Sequence, residues 1–133
     1  MINGKISDCV AIWIDHRIAF IVYVPDSRFH NGKNIWVEEG LGNGEPGHSL
    51  QHQNGHRQEA LKRFYDKVIC QLKHLIHVNE ILIMGPGQAK YEFRHRINHH
   101  KVLKGKIADI QNASRMSEKE LKAFASQYFA QLN

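Results

Sequence analysis

CVAIWIDHRIAFIVYV, residues 9–24, is the stretch that decides the fold class. Cys9 to Ile14 and Ile18 to Val24 are rich in β-branched and aromatic side chains, which suit the pleated surface of a strand. Asp15-His16-Arg17 separates the two runs and predicts a tight turn, hence a β-hairpin. Asp15 reads as a turn residue whose carboxylate bonds its own backbone. Both runs are almost continuously apolar rather than alternating. That pattern implies strands covered on both faces, in the interior of a layered domain. The same interruption at Asp15-His16-Arg17 excludes a membrane-spanning helix or a signal segment here, and no membrane association is expected.

Working outward, Pro25-Asp26-Ser27 predicts a turn and Asn34 to Glu39 a third, half-buried strand. Gly40 to His56 holds five Gly, one Pro and three His, shows no periodicity, and predicts a long mobile loop over about 40–56. Arg57 to His77 predicts a helix, with Leu61, Phe64, Tyr65, Val68, Leu72, Leu75 and Ile76 on one stripe. Glu80 to Met84 reads as a short buried strand. Gly85-Pro86-Gly87 then opens a helix from about Gln88 to Asn98, with Ala89, Phe93 and Ile97 inward. Lys106 to Asn112 reads as the last strand. Ser117 to Leu132 reads as a helix opened by a Ser117/Glu120 capping box, with Leu121, Phe124, Ala125, Tyr128, Phe129 and Leu132 on its stripe. Trp13, Trp36, Phe64 and Phe124 read as core. The order β-β-β-α-β-α-β-α predicts a single α/β domain over residues 1–133, a mixed sheet with helices on its faces. Right-handed crossovers would place the first strand centrally, beside the fourth, which is the ribonuclease H-like arrangement.

Charge is unevenly placed. The chain has 133 residues, 18 Lys and Arg against 13 Asp and Glu, and 10 His. Between Arg57 and Lys106 eleven basic residues face four acids, a net of +7, and the remainder is −2. A basic, His-rich middle suggests an anionic partner. Arg57, Lys62, Arg63, Lys67, Lys73 and Arg94 are candidate RNA contacts, joined by Arg96, Lys101 and Lys104. Gly85, Gly87, Gln88 and Lys90 are a candidate anion site, because a glycine turn into a helix start presents free N–H groups beside a lysine. The block lacks the spacing of a Walker A loop.

Other chemistries find less support. His48, His52 and His56 recur at spacing four, but in a Gly-rich loop that fixes no ligand geometry, so no metal or cofactor is expected. Asp15, Glu38 and Asp109 are candidates for a two-metal acid cluster, yet no acid lies in the middle of the first strand. Cys9 and Cys70 lack metal or redox spacing and suit a reduced, cytoplasmic setting. Cys70, beside the apolar stripe, reads as packing. A metal-dependent hydrolase or nuclease using the His-rich loop remains one alternative. A module that forms homo-oligomers through a sheet edge is another.

Val10-Ala11-Ile12-Trp13-Ile14-Asp15-His16-Arg17, the His-bearing loop, Ile81 to Lys90 (ILIMGPGQAK) and the closing helix Ala123 to Phe129 resemble the short bacterial proteins called translational machinery proteins. These in turn resemble the middle domain of the archaeal and eukaryotic peptide chain release factor and of Pelota. The resemblance covers about Cys9 to Phe129 and implies a ribonuclease H-like fold and a ribosome, tRNA or other RNA partner. Release factors hydrolyse peptidyl-tRNA with a Gly-Gly-Gln loop that precedes the long first helix. The matching segment here is Gly40 to His56. It contributes His48, Gln51, His52, Gln53 and His56 as loop candidates but no Gly-Gly-Gln, and Gly87-Gln88 stands elsewhere. No catalytic residue is therefore carried over, and the expectation is a non-enzymatic, translation-associated RNA-binding domain.

Overall fold

The computed structural model describes residues 8–24, 35–38, 50–73 and 78–131. Within them run β1 (Asp8–Ile14), β2 (Ile18–Val24), β3 (Ile35–Glu38), α1 (Leu50–Lys73), β4 (Val78–Gly85), α2 (Ala89–Ile97), β5 (Ile107–Asn112) and α3 (Glu118–Gln131). The five strands form one mixed sheet in the order β3-β2-β1-β4-β5. β1 pairs antiparallel with β2 and parallel with β4, so it is central as the ribonuclease H-like reading requires. β2 pairs antiparallel with β3, and β5 pairs parallel with β4.

The unbroken apolar runs have the expected cause. Val10, Ile12, Ile14, Ala19, Ile21, Tyr23, Ile81 and Ile83 point to one side of the sheet, where Phe64, Val68, Ile69, Leu72, Phe93 and Ile97 of α1 and α2 cover them. Their neighbours Ala11, Trp13, Phe20, Val22, Leu82 and Met84 point to the other side, beneath Leu121, Ala125 and Phe129 of α3. With a period of two, a strand can be apolar at every position only when both faces are buried.

Several local features follow their residues. In the hairpin, Asp15 Oδ1 accepts the N–H of Arg17 and of Ile18, each at 2.8 Å, the turn role assigned to it above. At α3, Glu120 N–H donates to Ser117 Oγ at 3.1 Å while Ser117 N–H donates to Glu120 Oε1 at 2.8 Å, a reciprocal capping box. Trp13 Nε1–H donates to the Ser114 carbonyl at 3.0 Å, which anchors the β5–α3 connection to the central strand. The Arg115 guanidinium lies 5.0 Å from the Phe20 ring centre and 5.5 Å from that of Trp13, closing that end of the α3 core.

Two expectations need correction. The helix expected from Arg57 already runs from Leu50, so Gln51, His52, Gln53 and His56 lie on α1 and not in a mobile loop. Leu50 is the sole apolar residue before Ala60, so hydrophobic periodicity carried no signal there. His48 and the rest of the Gly-rich segment lie outside the described residues. Phe124, expected in the core, is 37% exposed, because the line that α3 buries against the sheet runs through Leu121, Ala125 and Phe129, with Tyr128 partly covered beside it. Trp13 and Phe64 are core as expected, and the Trp36 side chain lies outside the described ones.

Candidate nucleic-acid interface

The side of α1 turned from the sheet carries the predicted cations. Phe64, Tyr65, Val68, Ile69 and Leu72 are buried, and at 3.6 residues per turn this leaves Lys62, Arg63, Lys67 and Lys73 exposed. The Arg57 side chain lies outside the described ones. On α2, Phe93 and Ile97 face the core and Arg94 is exposed, its guanidinium 5.6 Å from the ring centre of Tyr91. Lys101 and Lys104 are exposed in the turns that follow.

Where α1 and α2 meet, charges pair across the seam. Arg96 grips Asp66 with two hydrogen bonds, Nε–H to Oδ1 at 2.9 Å and an Nη2–H to Oδ2 at 3.0 Å. Hydrogen bonding to Arg96 holds the Asp66 carboxyl below the usual carboxylate range, against the opposing pull of burial. Further along the seam, Lys73 Nζ lies 3.5 Å from His100 Nδ1. His95 and His99 stack edge to face with centres 5.0 Å apart, and the His99 Nδ1 contacts the His95 carbonyl at 2.9 Å. The sequence-predicted cations thus divide. Lys62 and Lys73 border the seam with Arg96, Arg63 and Lys67 face outward on α1, and Arg94 faces a shallow groove of about 470 Å³ between α2 and β5.

The Gly85-Pro86-Gly87 turn is where the structure departs most from a simple anion site. Gly85 adopts φ +153°, and a Cβ there would lie 2.0 Å from the Ile14 carbonyl oxygen, so the crossing of β4 past β1 demands glycine. Gly87 takes φ +62°, the left-handed region, with open space around it. Lys90 does not project into solvent. It is 1% exposed, donates to the Gly87 carbonyl, and lies 4.8 Å from the Tyr91 ring centre. Burial pulls its ammonium below the usual lysine range. Its charge therefore ties the turn to the first turn of α2, while Gly87 and Gln88 are exposed. Lys106 is similarly engaged, with Nζ–H donating to the Val78 carbonyl at 2.8 Å.

Beside this turn lies a cluster that the motifs did not announce. Tyr65 Oη–H donates to Glu92 Oε1 at 2.6 Å, and His16 Nε2 meets the same oxygen at 3.1 Å. Burial and the Glu92 carboxylate raise the Tyr65 phenol far above its ordinary value, so it stays protonated as the donor. Three elements are thereby pinned together: the β1–β2 turn, α1 and α2. Asp15 and Asp109 are each engaged locally. Asp15 holds its turn, and Asp109 Oδ1 accepts the N–H of Ile110 at 2.8 Å on the outer strand. The Glu38 side chain lies outside the described ones. Among the described residues no three His, Cys, Asp or Glu side chains converge as metal ligands would. Among them, too, no helix is long and apolar enough to cross a membrane.

Known structures share this architecture. Pelota of Archaeoglobus fulgidus superposes with a TM-score of 0.59 at 14% identity, over 94% of this chain and 32% of that one. The fold is Pelota-like. The archaeal translation termination factor aRF1 gives a TM-score of 0.58 at 17% identity, over 87% of this chain and 32% of aRF1. Pelota of Thermoplasma acidophilum gives 0.55 at 17% identity, over 93% and 33%. The chain thus spans about a third of the length of Pelota and aRF1. No protein-family model and no curated protein matches the sequence.

Sequence reasoning passed over His16, Tyr65, Glu92, Asp66 and His100 as partners. The pairs are separated by 76, 27 and 30 positions for His16–Glu92, Tyr65–Glu92 and Asp66–Arg96, and by 27 for Lys73–His100. The one available signal was an acid on the inner edge of each basic helix, Asp66 on α1 and Glu92 on α2.

Proposed function

We propose that this domain is a non-enzymatic, translation-associated module that binds the ribosome, tRNA or another RNA through the outer surface of α1, α2 and the turns after them. One observation carries the reading: exposed Lys62, Arg63, Lys67, Lys73 and Arg94 stand on α1 and α2, which cover one side of a Pelota-like sheet, with exposed Lys101 and Lys104 in the turns that follow, against the acids Glu59, Asp66 and Glu92, whereas α3 on the opposite side has two acids and two lysines. A surface with such an excess of cations displaces counterions from a phosphate backbone, and its affinity falls steeply with salt. Pelota-like topology supplies the translation setting, and a cytoplasmic location goes with it. Peptidyl-tRNA hydrolysis is not part of the proposal, since the chain carries no Gly-Gly-Gln.

Sedimentation of the protein with ribosomes through a sucrose gradient tests this. The expected result is co-migration at low ionic strength and release at high salt. Protein that stays at the top of a low-salt gradient, and binds no tRNA under the same conditions, would overturn the reading.

A further inference from the structure

We propose that the cleft between Lys73 and His100 is a phosphodiester-binding site for RNA. This rests on the RNA-binding reading above and names where on that surface a phosphate is held. The cleft has a volume of about 250 Å³ and is lined by Asp66, Ile69, Cys70, Lys73 and His100. It is thus a concave seat at the α1–α2 seam.

Three features make it suited to a phosphate. First, the single carboxylate in the lining is already engaged: both oxygens of Asp66 accept from Arg96. Lys73 is left with no carboxylate partner among the described residues, and its contact there is His100. Second, two kinds of hydrogen-bond donor border the same recess. Lys73 brings an ammonium with three N–H donors, and the His100 imidazole, its Nδ1 3.5 Å from Lys73 Nζ, brings a ring N–H. Third, the surroundings favour an anion. Arg96 and Lys62 stand around Asp66 on the seam, and exposed Lys101 and Lys104 follow His100. Opposing them are Asp66 itself and Glu59 near Arg96. A phosphodiester group seated here accepts from Lys73 and from His100, a pairing of ammonium and imidazole donors suited to a phosphate.

Cys70 supplies a reporter in the same cleft. It is exposed, against the packing role expected beside the apolar stripe, while the chain's other cysteine, Cys9, is buried. Binding of unfractionated tRNA to the full chain at low ionic strength, followed by anisotropy, is compared for wild type, Lys73→Gln, His100→Phe and, on the opposite face, Lys119→Gln. Iodoacetamide alkylation of Cys70 in the wild type is timed with and without tRNA. Lys73→Gln is expected to weaken binding roughly tenfold and to reduce the salt slope by about one. His100→Phe is expected to weaken it roughly fivefold. Lys119→Gln should bind as wild type does, and tRNA should slow Cys70 alkylation. Wild type that binds no tRNA removes both the functional reading and the cleft. If wild type binds but either cleft variant keeps full affinity, or Cys70 stays unprotected, the cleft is overturned while the functional reading stands.

Discussion

The two sides of the sheet are built alike beneath and differ above. On one side Ile12, Ile14, Ile21, Ile81 and Ile83 lie under α1 and α2; on the other Trp13, Phe20, Leu82 and Met84 lie under α3. Each strand contributes to both layers, residue by residue, so the interior does not distinguish them. The outer surfaces do. α1 and α2 turn cations outward and place the Asp66–Arg96 ion pair on their seam, whereas the charges of α3 balance. Stability is therefore a property of the whole sheet, and anion binding a property of one side of it.

The largest effect should come from a change that breaks both sides at once. Gly85 lies where β4 passes the end of β1, and an added Cβ would lie 2.0 Å from the Ile14 backbone oxygen in a conformation L side chains avoid. β1 and β4 carry residues of both cores, so neither layer can shift to relieve the clash alone. Gly85→Ala should destabilise by more than about 4 kcal/mol, which takes a domain of this size close to unfolding. A thermal melt would show the loss of a cooperative transition, or a midpoint lower by ten degrees or more (about 3–5 °C per kcal/mol). A Gly85→Ala protein that melts with the wild type would mean that β4 can move away from β1 without cost.

Matched core truncations sharpen the contrast. Phe93 on α2 and Leu121 on α3 are both fully buried, at 0% exposure. Phe93→Ala should cost about 3–5 kcal/mol and Leu121→Ala about 2–5, read from urea midpoints. The binding consequences should separate. Phe93→Ala loosens the seat of α2, and with it Arg96 and the turn that holds His100, so tRNA affinity should drop several-fold at temperatures where the protein is still folded. Leu121→Ala should leave it within a factor of two. Equal losses of affinity in the two variants would make the surface distinction meaningless.

How far the sequence anticipated this division depends on the range of the interactions. The hairpin, the Asp15 turn and the Ser117/Glu120 cap were legible because each is written in residues within a few positions of one another, and the central place of β1 followed from the element order and the handedness of the crossovers. The first seven residues of α1 were not, since a polar run containing Gly55 holds a helix without any apolar stripe. Lys90 misled for another reason. A lysine in a first helical turn is ordinarily solvated, but here the glycine turn folds back far enough for its stem to be covered and its ammonium to reach the Gly87 carbonyl. Phe124 stands at a stripe position beside, and not on, the line of α3 residues buried against the sheet. The exposed cations were found by counting, whereas their partners Asp66, Glu92 and His100 required the tertiary fold.

The smallest effect concerns the ion pair that borders the proposed phosphate cleft, and its pH dependence carries a definite sign. Asp66 has its carboxyl held low by Arg96 in the folded chain, while in the unfolded chain it titrates near the ordinary value of about 3.9. The folded protein therefore holds on to the charged form more strongly than the unfolded one does. The stabilisation from the pair is complete above the unfolded value and is lost as pH falls through the lower, folded one. With Asp66 43% and Arg96 31% exposed, solvent screens the pair, and Asp66→Asn should cost no more than about 1 kcal/mol near neutral pH. Urea midpoints of the two proteins should differ slightly at neutral pH and converge in acid once Asp66 is protonated in both states. A gap that persists unchanged into acid would show that Asp66 acts by packing and not by charge. The same variant removes a negative charge from the seam, so its tRNA affinity should rise slightly at neutral pH. A fall would mean that Arg96 has left its place and that the pair shapes the cleft as well as clearing it of negative charge.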